Sequence, residues 1–399
     1  MTKNPHLDDA VAIFEEVGWA GADLADAPTL PIGTAEQQRK ALAGLRSGDF
    51  EKTQVHASPT GGTVVTGVPV LDHADLEMLG LFAVRVGITA RRAVAVLLDT
   101  LGPEAMGTAV PASVVAGRGE DYAQKFVDAV VTSAGWRAQS LGLLLVRLVA
   151  DLGLPIPGLR EYAESWAGAA FAALWARTGP GDDLAEALTA EQRTWAGIVE
   201  HGGRWAVLTD PADRFAEHVR AGVAAGVTGT GVFGWVVPAG VAHGWMGRDE
   251  AAALVVTALD QATRPTDCVA WLRVWLDRLG ATSDEILAQA EILVPVLAAS
   301  TGHTLGSEVV ERLAPPLIAG VGDDLLVDVA TAALGVSTKK ARWSVLAALA
   351  VRPRPSDTTV EAIAPQVTVL EGAGFDKVVA AVVRAWGLAE TPGLEPAQN

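Results

Sequence analysis

The chain has 399 residues, half of them hydrophobic and 19% charged, so it can bury enough apolar surface to offset chain entropy and is not a disordered protein. Its 47 acidic and 30 basic side chains leave a formal charge of −17, a field that repels phosphate backbones and anionic lipid, so no nucleic-acid partner is expected. The single cysteine, Cys268, excludes an intramolecular disulfide and a thiolate zinc cluster and fits a reducing, cytoplasmic setting.

In chain order, the opening "MTKNPHLDDAVAIFEEVGWAG" places Asp8, Asp9, Glu15 and Glu16 where a signal peptide would need an apolar core, so no secretion signal is expected. "TAEQQRKALAGLR" predicts a helix opened by a capping box of Thr34 and Gln37. Residues 47–72 mix Gly, Pro, Ser and Thr around "TVV" and read as a long loop or a short β-hairpin, so 1–72 form an N-terminal helical segment and connector. Residues 73–180 form an N-terminal helical array, ending in "LREYAESWAGAAFAALWAR" and the breaker "TGPGDD". Asp210 followed by Pro211 predicts a further helix start. Between Arg220 and Arg248 no charged residue occurs, but Pro238, His243 and repeated glycines favour a buried helix pair over a membrane span.

Residues 181–390 carry the clearest repetition. In "TSDEILAQAEILVPVLAAS" the apolar positions recur at steps of three and four behind a Thr282–Glu285 capping box, and Pro295 should kink or divide the helix. Helical hairpins begin near 250, 283, 323 and 357, a spacing of about 33–40 residues in the range of helical repeats. Each hairpin exposes an apolar face that only a neighbour can cover. The expected fold is therefore all-α, an α-solenoid of irregular HEAT-like hairpins with a less regular N-terminal part and a disordered tail at 391–399.

Chemical motifs are few. "GTGVFG" satisfies G-x-G-x-x-G at Gly229, Gly231 and Gly234 with Asp249 beyond it, but the flanking segments read as helices, so close helix approach explains the glycines better than dinucleotide binding. The seven histidines form no metal-ligand spacing and no serine has an activating neighbour. No catalytic residue, cofactor or metal is expected, and the chain reads as a non-enzyme. Trp271 and Trp275 share one helix face. Lys339, Lys340 and Arg342 open the helix of "ALGVSTKKARWSVLAALA", where the macrodipole disfavours cations. Ser337 is the expected cap, and Asp323, Asp324 or Asp328 on the preceding helix, or an acidic or phosphorylated partner, should answer the lysines. Lys339, Lys340, Arg342, Trp271 and Trp275 are the candidate partner-binding residues.

The stretch "HGWMGRDEAAALVVTALDQATRPTDCVAWLRVWLDRLGATSDEILAQAEILVPVLAAS", the later "LLVDVATAALGVSTKKARWSVLAALA" and the earlier "WRAQSLGLLLVRLVADLGLPIPGLREYAESW" resemble an uncharacterised actinobacterial family of HEAT-like helical-repeat proteins, over about residues 130–390. The resemblance implies an accessory protein working beside MoxR-type AAA ATPases, von Willebrand A domain proteins or SWIM zinc-finger proteins, and implies no catalytic residues. The expected function is a non-catalytic scaffold or adaptor that binds a protein partner. The alternatives are a nucleic-acid-binding enzyme of the HEAT-like DNA glycosylase type, which needs a basic face lined with Trp and an acid, and a membrane-associated accessory protein using residues 222–247.

Overall fold

The structure, a computed structural model, describes residues 4, 6–57, 63–133, 139–178, 208, 210–300 and 306–388, with backbone alone at 52–57, 63–67, 177 and 178. It is mostly helical, which places the chain in the all-α class. Two compact units divide it, Met1–Ala225 and Gly226–Asn399. The expected boundary at 180/181 and the expected tail at 391–399 lie outside the described residues.

The first unit opens with α1 (Leu7–Glu16) and α2 (Ala35–Leu45), which pack as a pair. Thr34 and Gln37 form the expected capping box on α2, so two otherwise orphaned amides are satisfied at the helix start. The connector is a β-hairpin, β1 (Glu51–Ala57) antiparallel to β2 (Thr63–Pro69), in register from Glu51 opposite Pro69 to Ala57 opposite Thr63. Beyond it come α3 (His73–Val86), α4 (Ala90–Thr100), α5 (Pro103–Met106), α6 (Val110–Ala116), α7 (Glu120–Ser133), α8 (Gly142–Leu152), α9 (Arg160–Thr178) and α10 (Phe215–Ala224). The separation of 1–72 from 73–180 does not hold: the Trp19 ring lies 5.2 Å from the Phe82 ring of α3, and the Gly21 amide donates to Asp75 at 2.8 Å. The expected start at Asp210 and Pro211 becomes a turn, in which Asp210 accepts from the Ala212 amide, and α10 begins only after Arg214.

The second unit contains α11 (Phe233–Ala242), α12 (Arg248–Gln261), α13 (Pro265–Arg273) with a π-helical turn at Val274–Arg278, α14 (Ser283–Ala288), α15 (Ala290–Ser300), α16 (Gly306–Gly320), α17 (Asp323–Leu334), α18 (Lys339–Val351), α19 (Asp357–Thr368) and α20 (Asp376–Trp386). The predicted break between 283 and 300 exists, but at Gln289 and not at Pro295, which sits inside α15. The packing obeys a rule. α12, α15, α17 and α19 pack in succession, and so do α13, α16, α18 and α20, with α16 and α17 and then α17 and α18 also touching. Each helix thus meets its counterpart one hairpin away, and the aliphatic stripe between them, such as Val309, Leu313, Leu317, Val345, Leu346 and Leu349, is buried.

Candidate partner-binding surface and a buried histidine cluster

Long-range side-chain bonds tie each hairpin to the next at a recurring interval. In the first unit the Arg118 guanidinium donates to the Val84 carbonyl at 2.5 Å and the Tyr122 hydroxyl to the Ile88 carbonyl at 3.1 Å, both across 34 residues. In the second, Arg273 pairs with Glu308 and Arg312 with Asp277, each across 35 residues, and Gln366 donates to Thr331 across 35. Arg352 at the end of α18 donates to the carbonyls of Ile318 and Val321 at the end of α16, 34 and 31 residues earlier. A guanidinium on terminal carbonyls satisfies acceptors that the helix leaves unpaired and complements the negative end of its dipole.

The five candidate residues divide sharply against this frame. Trp271 and Trp275 are each 1% exposed, so both rings fill the core and neither can touch a partner. Their one-turn spacing does put them on one face, but it is the inward one. A Cβ at Gly229 would stand 2.9 Å from the Trp271 ring, and one at Gly234 would stand 2.3 Å from the Gly229 carbonyl oxygen. Close packing therefore accounts for two of the three glycines of "GTGVFG". The segment before them is α10, a helix, and Asp249 lies in the first turn of α12. Beside them Arg278 lies over the Trp235 ring and donates to the Gly234 carbonyl at 2.6 Å, and burial draws its pKa down to about 10.

Lys339 and Lys340 are exposed and Arg342 is half-buried. Pairing of the lysines with Asp323, Asp324 or Asp328 does not occur. The Lys340 ammonium donates instead to Glu311 of α16 at 2.5 Å, and the Lys339 ammonium lies 5.6 Å from the Phe375 ring before α20. The reason is direction: α17 and α18 form a hairpin, so the start of α17 lies beside the end of α18. Asp323 accordingly accepts from the Ser356 amide at 2.6 Å and faces Arg352 at 3.5 Å, and the Ser356 bond, first among several, lowers its pKa. The cap position belongs to Thr338 and not Ser337, and Thr338 makes no side-chain cap bond. Its Oγ1 and the Arg342 Nε are buried without a hydrogen-bond partner among the described residues. One turn on, Trp343 is 54% exposed. No motif singles it out, although its placement three residues from Lys340 and four from Lys339 puts all three on neighbouring positions of one helix surface.

A second cluster, in the first unit, has no local motif. The His218 ring of α10 is 7% exposed and stacks on Trp166 of α9 at 4.6 Å with 6° between the planes. The Tyr162 hydroxyl lies 3.4 Å from His218 Nδ1, and Phe215 leans on Trp166 at 5.4 Å. Arg214, with φ at 50°, stands at the entrance of α10, donates to the Leu154 carbonyl at 2.7 Å and pairs with Glu217. Burial, reinforced by the Arg214 charge, pushes the His218 pKa down to about 3, and burial raises that of Tyr162. His218 is thus neutral in the folded unit. A small cleft lined by Val149, Trp166, Asp210, Asp213, Arg214 and His218 has room for little more than a water molecule. No group of three or more metal-ligating side chains occurs among the described residues, and no helix there is long and apolar enough to cross a membrane.

Comparison of the chain with protein-family models, with curated proteins and with solved structures finds no match.

Proposed function

We propose that the chain is a non-catalytic scaffold, a HEAT-like α-solenoid that presents a helical surface to a protein partner. The observation that carries this reading is the interval of 29 to 37 residues at which side chains of one hairpin reach a neighbouring one. Nearest-neighbour stacking of this kind builds extended surfaces that suit large partners better than small ligands. The resemblance to HEAT-like accessory proteins adds a partner class, a MoxR-type ATPase or von Willebrand A domain system. Neither alternative gains support: five of the tryptophans that a base-stacking face would need, Trp19, Trp166, Trp271, Trp275 and Trp386, are fully buried, and no described helix within 222–247 could span a bilayer.

The test is affinity purification of the full chain with residue-level crosslinking. A scaffold gives one reproducible protein partner whose crosslinks fall on the outer faces of successive helices. Purification that returns the chain alone, or with nucleic acid, would remove the proposal.

A further inference from the structure

We infer that the start of α18 and the adjoining start of α20 form a docking site for an acidic protein segment that carries an apolar side chain. This rests on the scaffold reading and narrows it to one surface and one partner chemistry.

Ion pairs run along the row formed by α13, α16 and α18. Asp277 of the π-helical turn pairs with Arg312 of α16, Arg273 of α13 with Glu308 of α16, and Glu311 of α16 with Lys340 of α18. Each step of the row is closed by an acid facing a base. At the last step, from α18 to α20, the pattern stops. Lys339 leans over Phe375, and neither Lys339 nor Lys377, in the first turn of α20, has an ion pair among the described residues. Arg384, two turns further along α20, is exposed and also lacks one among the described residues. The other long helices of the row carry an acid in their first turn, Asp267 on α13, Glu308 on α16 and Asp376 on α20, whereas α18 carries none. With Lys340 answered by Glu311, the amides of its first turn and Lys339 leave positive potential there in a chain of net charge −17.

Beside this unanswered charge stands Trp343, the most exposed large aromatic of the described residues. An exposed indole next to a small group of cations is the composition of an interface anchor with a charged rim. The occupant that fits carries a few carboxylates and one apolar side chain to lie on the indole. A nucleic acid fits less well, since the chain's overall negative charge opposes a long polyanion that only a few cations would hold.

The test uses the full chain and three fluorescein-labelled probes: a 14-residue peptide of Glu and Leu, its Lys-for-Glu counterpart, and a 14-nucleotide oligothymidylate. Fluorescence anisotropy should show saturable binding of the acidic peptide alone, weakening as salt rises. K339E/K377E should weaken it at least tenfold and W343A severalfold, and K339Q/K377Q should fall between wild type and the charge reversal. All these side chains are exposed, so unchanged circular dichroism is expected for each variant. In protein labelled with 5-fluorotryptophan, the resonance that W343F removes should be the one the peptide shifts. No saturable binding of the acidic peptide, equal binding by the charge-reversed variant, or tighter binding of oligothymidylate would overturn the site. A crosslinked partner that maps to other helices would leave the scaffold standing and overturn this docking site.

Discussion

Both units bury large rings, but they differ in how the rings are grouped and in how the helices are tied across their surfaces. The first fills its irregular helix junctions with large rings: Phe14, Trp19 and Phe82 in one knot, Tyr162, Trp166, Phe215 and His218 in another. The second also buries Trp271, Trp275 and Trp386, but between its successive helices aliphatic stripes meet aliphatic stripes, and charged groups fall opposite one another from α13 to α16 and from α16 to α18. Regular stacking makes a ladder of weak ties possible. In the first unit the rings gather in two clusters, and sensitivity to substitution and to acid gathers with them.

The largest expected effect comes from that concentration. Trp166→Ala removes the ring that touches both Phe215 and His218, and should cost about 3–5 kcal/mol, read as loss of hydrogen-exchange protection in α8–α10. In the second unit, Gly229→Ala should cost about 1–3 kcal/mol, since the new Cβ meets both the ring and the amide of Trp271 at 2.9 Å. Urea denaturation measures it, and a neutral result would show that close approach is not what the glycine serves.

Acid distinguishes the units further. His218 has a folded pKa near 3, below its ordinary value of 6.5, so the unfolded chain takes up the proton first as pH falls. Its contribution is complete above about pH 6.5 and is lost progressively toward pH 3, on the order of 2 kcal/mol by pH 5. His218→Phe should flatten the stability profile of the first unit over that range. Glu285, whose bidentate pairing with Arg248 and bond from the Thr282 amide hold its pKa near 2, contributes above its ordinary 4.5 and loses that contribution between 4.5 and 2. The second unit should therefore hold its stability to lower pH. Unfolding profiles of the two units that fall together from pH 6.5 would contradict the assignment.

The smallest effect belongs to the ladder. A double-mutant cycle on Arg273 and Glu308 should give about 0.2–1 kcal/mol, shrinking in high salt, because the pair is partly exposed.

Much of the fold is legible in the sequence wherever the signal is local. The Thr34 and Thr282 capping boxes stand as their spacing predicts, the hairpin at 47–72 is one of the two forms its composition allows, and four helical hairpins keep the expected order from 250 onward. The features that stay hidden depend on partners distant along the chain. Spacing puts Trp271 and Trp275 on one face without saying that it faces inward. Ser337 and Thr338 are both chemically suited to cap α18, and backbone geometry alone selects Thr338. Nearness in sequence points Lys340 toward the preceding helix, whereas stacking brings α16 alongside. Tyr162 and His218, 56 residues apart, form a pair that no local motif announces.

If the hairpins of the second unit are held by their neighbours in series, damage to the last one should stay near it. Val382, fully buried in α20, allows a direct test: Val382→Asp places a charge in the last hairpin only. Hydrogen exchange of the full-length variant should show α19 and α20 losing protection while α12, α13 and α15 keep theirs, with α18 intermediate. Uniform loss of protection from α11 to α20 would contradict the series, because it would show one undivided core in place of a repeat array.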